Sequence, residues 1–272
     1  MGFEHDIFIG YAPASGQENQ ATTEWTLKFC DYLSILMQRL YNKKPVFLLH
    51  EDLRVRQNLL GESYQMAYSN IAVYVLILSP EYVKSESYMK ELEEIYHAIY
   101  PSEGSESKHP RIFKILTSPV AADEQPACLR DEPTYNFFDI NRYNKKPVRY
   151  ELNGAGGPDS RFWSKLVDLA YDVSDVLHDL NQAVSGSRPV AERPAVFLAE
   201  TTFDQAENRD MLKRELQHFG FRVLPVVPIP DDAENGKQAI DDALGESVIA
   251  VHLMGAWYGD FIKNSKYSFI DF

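Results

Sequence analysis

Between Ile71 and Leu78 the chain carries eight consecutive apolar residues, IAVYVLIL, and this run constrains the fold more than any other. It is too short to span a membrane, which takes roughly 20 residues as a helix. Its β-branched content suits a strand buried on both faces, and such a strand needs helices packed above and below it. Ser79-Pro80 ends the run, and a polar turn containing Ser85 leads into a helix. There Tyr88, Leu92, Ile95, Tyr96 and Ile99 recur at the spacing of a core-facing stripe. At about 100° per residue, Glu91 falls about 60° from the middle of one turn's apolar arc, whereas Lys90, Glu93 and Glu94 point away. A carboxylate is therefore expected at the rim of a buried face, just past the carboxyl end of a central strand. Open α/β sheets bind their ligands there.

The surrounding segments alternate in the same way. Residues 6–12 read as a first strand running into a small-residue turn, and Trp25, Phe29, Tyr32, Leu33, Leu36, Met37 and Leu40 mark a long amphipathic helix. Pro45 interrupts that pattern before a second strand, Val46 to Leu49. A polar loop from His50 to Gly61 and a short helix from about Glu62 to Tyr68 precede the apolar run. Arg111 to Leu116 is a fourth strand, Phe137-Phe138 a short fifth, and Phe162 to Leu180 a helix with one apolar face. Strands alternating with helices imply βαβ crossovers and a parallel sheet.

Residues 1–182 thus form one domain, and 183–194, rich in Ser, Gly and Pro, a linker. Residues 195–272 begin a second, smaller α/β cycle: strand Ala195 to Ala199, helix Asp204 to Phe219, strand Phe221 to Leu224, an acidic proline-rich loop, a helix near Lys237 to Leu244, and a buried strand, Val248 to Leu253. The order matches that of residues 6–80, with weak pairwise identity. Nothing in the second cycle resembles the helix start from Ser85 to Glu91, so it is expected to be catalytically silent.

Composition removes several function classes. A net charge of −13 opposes a nucleic-acid surface, and Lys43-Lys44 and Lys145-Lys146 read as solvated turns. No run is long enough for a membrane span. The N-terminus lacks a signal-peptide layout, and Asp6 breaks the myristoylation pattern that Gly2 would begin. Two distant cysteines, Cys30 and Cys128, form neither a disulfide framework nor a metal motif, so a cytoplasmic protein with reduced thiols is expected. The seven histidines are dispersed, which argues against a metal site, and His252 reads as a core or interface residue. The GAGG at 154–157 lacks the strand and helix of a phosphate cradle, and no GxSxG is present.

Three segments carry a family resemblance. DIFIGYA resembles the first box of TIR (Toll/interleukin-1 receptor) domains, and the loop from His50 to Gly61 resembles their variable loop after the second strand. SPEYVKSESYMKEL is similar to their most specific box, SPxYxxSxWCxxEL. Together they cover roughly residues 4–180. Gly10 stands where serine is common, Ser87 where an aromatic is frequent, with Tyr88 one place later, and Leu60-Gly61 replaces a frequent Pro-Gly. The resemblance implies a flavodoxin-like fold with a parallel central sheet flanked by helices. The second unit, with VFLAETTFD, FRVLP and VHLMGAWYGD, resembles the TIR-like tail behind bacterial defence-type TIR domains.

Many bacterial and plant TIR domains hydrolyse or cyclise NAD+, with a glutamate in the position of Glu91 and a serine in that of Ser85. The resemblance therefore implies an NAD+ nucleosidase acting in anti-phage immunity, with NAD+ as substrate and no cofactor. Nicotinamide in NAD+ is already a cation and departs neutral, so one carboxylate can suffice where ordinary glycosidases need two. Glu91 would hold the ribose hydroxyls, stabilise the developing charge at C1′, or capture it as an ester. Ser85 would cap the helix or bond a ribose hydroxyl, Tyr11 and Ala12 would form the opposite wall, and Tyr88 would line the pocket. Arg54 or Arg56 would meet the pyrophosphate. Self-association through residues 50–61, or with other TIR domains, would complete the site. Two other readings stay open: a non-catalytic TIR–TIR scaffold, and an enzyme resembling nucleoside deoxyribosyltransferases.

Overall fold

The computed structural model describes residues 3–12, 18–41, 43–52, 68–100, 110–121, 124–129, 132–141, 143–152, 158–185, 193–202, 204–227, 229–230 and 233–256. The chain divides into two compact units, Met1–Ser187 and Arg188–Phe272. The first opens with β1 (His5–Tyr11), α1 (Glu18–Leu40), β2 (Phe47–Leu49) and β3 (Ile71–Leu78). Then follow α2 (Pro80–Lys84), α3 (Glu86–Ile99), β4 (Ile112–Leu116), β5 (Thr134–Asn136), an antiparallel hairpin of β6 (Phe138–Ile140) and β7 (Pro147–Arg149), and α4 (Ser160–Ser185). β1 to β5 form one parallel sheet in the order β2-β1-β3-β4-β5. This is the flavodoxin-like strand order.

The two-residue period of the strands sorts the core into two halves. Ile7, Ile9, Val73, Val75, Ile77, Phe113 and Ile115 face α1 and α4. Phe8, Tyr74, Leu76, Leu78, Ile112 and Leu116 share the other face with Leu92, Ile95 and Ile99 of α3. With helices on both faces, all eight residues of β3 are buried. In α1 the buried Trp25, Phe29, Leu33 and Met37 recur every fourth residue, and Trp25 stacks on Phe29 with ring centroids 5.4 Å apart. Asp6 ties the entry to β2: one oxygen accepts from the Val46 N–H at 2.8 Å and the other lies 3.2 Å from Lys43 Nζ.

Several expected boundaries shift. The residues after β3 are helical at once: Ser79 Oγ accepts from the Tyr82 N–H at 3.2 Å and Pro80 occupies the first turn, so α2 comes between strand and α3. Ser-Pro supplies both an N-cap and a residue preset for the first helical position. The fifth strand is Thr134–Asn136 rather than Phe137-Phe138. Phe137 is buried between Trp25, Phe29 and Phe162, while Phe138 opens the hairpin. The last helix runs to Ser185, three residues into the segment expected as linker.

The second unit consists of β8 (Ala195–Leu198), α5 (Ala206–His218), β9 (Arg222–Leu224), α6 (Ala233–Glu246) and β10 (Ser247–Val251). Its parallel sheet has the order β10-β8-β9, so the first strand lies between the other two, as β1 lies between β3 and β2. β10 differs from β3 in one respect: Val248 is 69% and Ile249 55% exposed, against the expectation of a buried strand. In the first unit β4 pairs with the far edge of β3 and α3 covers it, whereas among the described residues no element follows β10. His252 is exposed, its ring 6.0 Å from that of Phe197, and does not belong to the core. No helix among the described residues is long and apolar enough to cross a membrane.

Candidate functional site

β2 leaves β1 on one side of the sheet and β3 leaves it on the other, so the crevice of this topology opens between β1 and β3 at their carboxyl ends. Tyr11 ends β1 there, His50 directly follows β2, and Ser79 directly follows β3. Chain connectivity thus delivers three residues to one end of the sheet.

α3 starts at that end and descends over the sheet face lined by Phe8 and Tyr74, which places Glu91 in its second turn. The Glu91 carboxylate meets two buried polar side chains from other segments. Tyr68 Oη donates to Oε1 at 2.7 Å, and His50 Nε2 lies 3.1 Å from the carboxylate. The Glu91 side chain is 13% exposed and that of His50 only 3%. Tyr68 is fully buried, with its ring edge-on to Phe8 at 6.1 Å, and its carbonyl accepts the Tyr74 hydroxyl. His50 is enclosed by rings: Tyr88 at 5.7 Å, Tyr11 at 6.3 Å and Phe8 at 6.4 Å between centroids. Its Nδ1 is buried without a hydrogen-bond partner.

The charge of Glu91 registers on its neighbours. Burial, then the nearby Glu91 carboxylate, pushes the Tyr82 phenol well above the ordinary tyrosine range. Burial also raises Tyr11, helped by Glu51, whose carboxylate repels the phenolate and accepts the phenol's hydrogen bond. Both rings therefore remain protonated through neutral pH. An ionised carboxylate offers about four lone-pair sites. With two used by Tyr68 and His50, about two remain for a ligand. A fixed anion in a largely dry, ring-lined setting can hold sugar hydroxyls and stabilise a developing cation.

Among the expected residues, Glu91, Tyr88 and Tyr11 gather around the His50 ring, and Ala12 packs half-buried against the same core half as Tyr82 and Leu92. The Tyr88 ring is stacked on Tyr82 at 5.0 Å and 26°, which covers that face of it. Ser85 does not cap α3 through its side chain. Its N–H donates to the Tyr82 carbonyl at the end of α2, and its own carbonyl accepts from Met89, leaving the hydroxyl out of the helix start. Arg54, Arg56 and all of the 50–61 loop beyond Asp52 lie outside the described residues, as does the GAGG at 154–157. His50, Glu51 and Asp52 are helical rather than loop.

Sequence reasoning missed His50 and Tyr68. The available signal for His50 was positional: it is the first residue beyond a strand, and Leu49 pairs with Ile9 two residues before the end of β1. For Tyr68 no pattern pointed to Glu91. Among the described residues no group of three or more His, Cys, Asp or Glu is placed to hold a metal ion. A scan against models of known protein families finds no match for this chain, and no curated protein matches it.

Proposed function

We propose that the first unit is a TIR-type NAD+ nucleosidase in which Glu91 acts on the nicotinamide–ribose bond. One observation carries the reading: a carboxylate that is 13% exposed, braced by two buried polar side chains, lies beside the switch point of a flavodoxin-like sheet. Glu91 holds the ribose hydroxyls with its remaining lone pairs and stabilises the cationic C1′ as neutral nicotinamide leaves. Low local polarity strengthens that interaction, because fewer waters screen it. The Ser85 hydroxyl, free of any helix-capping bond, reaches a ribose hydroxyl, while Tyr11, Ala12 and Tyr88 supply the walls. Arg54 meets the pyrophosphate, and head-to-tail association through residues 50–61 completes the pocket. The resemblance to defence-type TIR proteins makes the biological role a bacterial anti-phage effector in the cytoplasm, with the second unit as a silent TIR-like domain.

Product analysis of full-length protein with NAD+ at high protein concentration tests this reading. Nicotinamide with ADP-ribose or a cyclic isomer supports it. Base exchange on deoxynucleosides with NAD+ untouched would place the chain with the deoxyribosyltransferase-like enzymes. A scaffold reading draws on Tyr82 covering one face of Tyr88 and on the exposed Ser87 at the usual aromatic position. Inactivity on both substrates in an assembled state would favour it.

A further inference from the structure

We propose that His50 and Tyr68 are positioning residues that hold the Glu91 carboxylate in one orientation, His50 acting as a donor through Nε2. The proposal rests on the nucleosidase reading of Glu91 and concerns how that carboxylate is aimed.

A glutamate on a helix has three side-chain torsions and, left alone, samples several staggered rotamers. Here two donors converge on it from positions 41 and 23 residues earlier in the chain, at 3.1 and 2.7 Å. Neither donor has room to swing. Tyr68 is fixed at one end by the Tyr74 hydroxyl on its carbonyl and at its ring by Phe8. His50 is wedged between rings from β1 and α3.

The protonation pattern at His50 follows from its partner. An ionised carboxylate only accepts, so the hydrogen of this contact sits on Nε2. The other ring nitrogen points away from Glu91 and is buried with no partner. An unmet buried polar atom destabilises the fold, and an apolar side chain of similar size would fill the space without that cost. Packing alone thus favours a different residue at position 50. What the imidazole adds is the Nε2 edge, and that edge is spent on Glu91.

Two substitutions separate the edges. The amide nitrogen of glutamine reproduces the reach of Nε2, whereas the shorter asparagine reproduces that of Nδ1. Nicotinamide release from NAD+ is followed for the full chain as wild type, Tyr68→Phe, His50→Gln and His50→Asn, with a thermal melt of each. Misplacing a catalytic group by about 1 Å costs up to about 100-fold in rate. Tyr68→Phe and His50→Asn are therefore expected to lower kcat by about 10- to 100-fold with KM changed less than about 3-fold, the mark of an interaction used in the transition state. His50→Gln recovers most of the loss while melting no higher than His50→Asn. Equal impairment by Gln and Asn, or unchanged kcat in Tyr68→Phe, overturns the positioning role while leaving the nucleosidase reading intact. A wild-type chain that releases no nicotinamide even when assembled overturns both.

Discussion

Replacing Glu91 by alanine should destabilise the first unit, quite apart from any effect on chemistry. The carboxylate is the acceptor for Tyr68 Oη and for His50 Nε2, and both donors are buried. A buried donor left without a partner costs about 1–3 kcal/mol, so two together cost about 2–6 kcal/mol. Glu91 itself is 13% exposed, so water can enter the vacated space and rescue part of the loss. The expected destabilisation is therefore at the low end, about 2–3 kcal/mol. At about 2–4 °C per kcal/mol for a unit of this size, the melting temperature should fall by about 4–12 °C. Thermal unfolding followed by circular dichroism at neutral pH measures it. Adding Tyr68→Phe to Glu91→Ala deletes one orphaned hydroxyl, so the double variant should melt above the single one, a coupling expected of groups in direct contact. If Glu91→Ala melts within about 1 °C of wild type, or Tyr68→Phe adds its full separate cost, the carboxylate is not braced as described. Glu91→Gln retains an acceptor oxygen, which makes it the better-folded control for loss of activity.

Two further outcomes follow from the geometry. A Cβ at Gly10 would stand 2.8 Å from Leu76 Cδ2 and 3.0 Å from Phe8 Cε1. Gly10→Ser should therefore cost about 1–2 kcal/mol through a displaced Leu76, read as a lower denaturation midpoint, with Leu76→Val recovering part of it; an unchanged midpoint would show that the site has room. The Cys30 thiol is pushed up to about 12 by burial and then by the Asp31 charge. Near neutral pH only about 10⁻⁴ or less of it is thiolate, so alkylation of folded protein should be slow and should quicken about tenfold per pH unit; equal rates in native and denatured protein would contradict that burial.

The parts of the fold that were legible in the sequence are those where one local pattern decides the outcome. β3 is apolar throughout because both of its faces are covered, and the stripe of Leu92, Ile95 and Ile99 fixes which way α3 faces. That orientation alone set Glu91 at the rim. β10 has nearly the same apolar composition, yet Val248 and Ile249 are exposed, because burial depends on the neighbours a strand receives and not on its own residues. The start of α2 was readable from Ser79-Pro80 but was overshadowed by the longer helix behind it. The site was only half legible. Tyr68 and His50 reach Glu91 through sheet order and the fold of separate segments, and no spacing along the chain encodes that meeting. Ser85 illustrates the opposite limit: its place before α3 suggested a cap, but the backbone turn shared with α2 satisfies that end without its hydroxyl.

The proposed function requires a single braced carboxylate, Glu91, to cleave the bond between nicotinamide and ribose. Nicotinamide release from NAD+, measured against protein concentration for wild type and for folded Glu91→Gln, addresses it directly. Release by wild type should rise more steeply than linearly with concentration, and Glu91→Gln should lose at least about 100-fold at unchanged assembly. Equal release by both proteins, or none from wild type at any concentration reached, would contradict it.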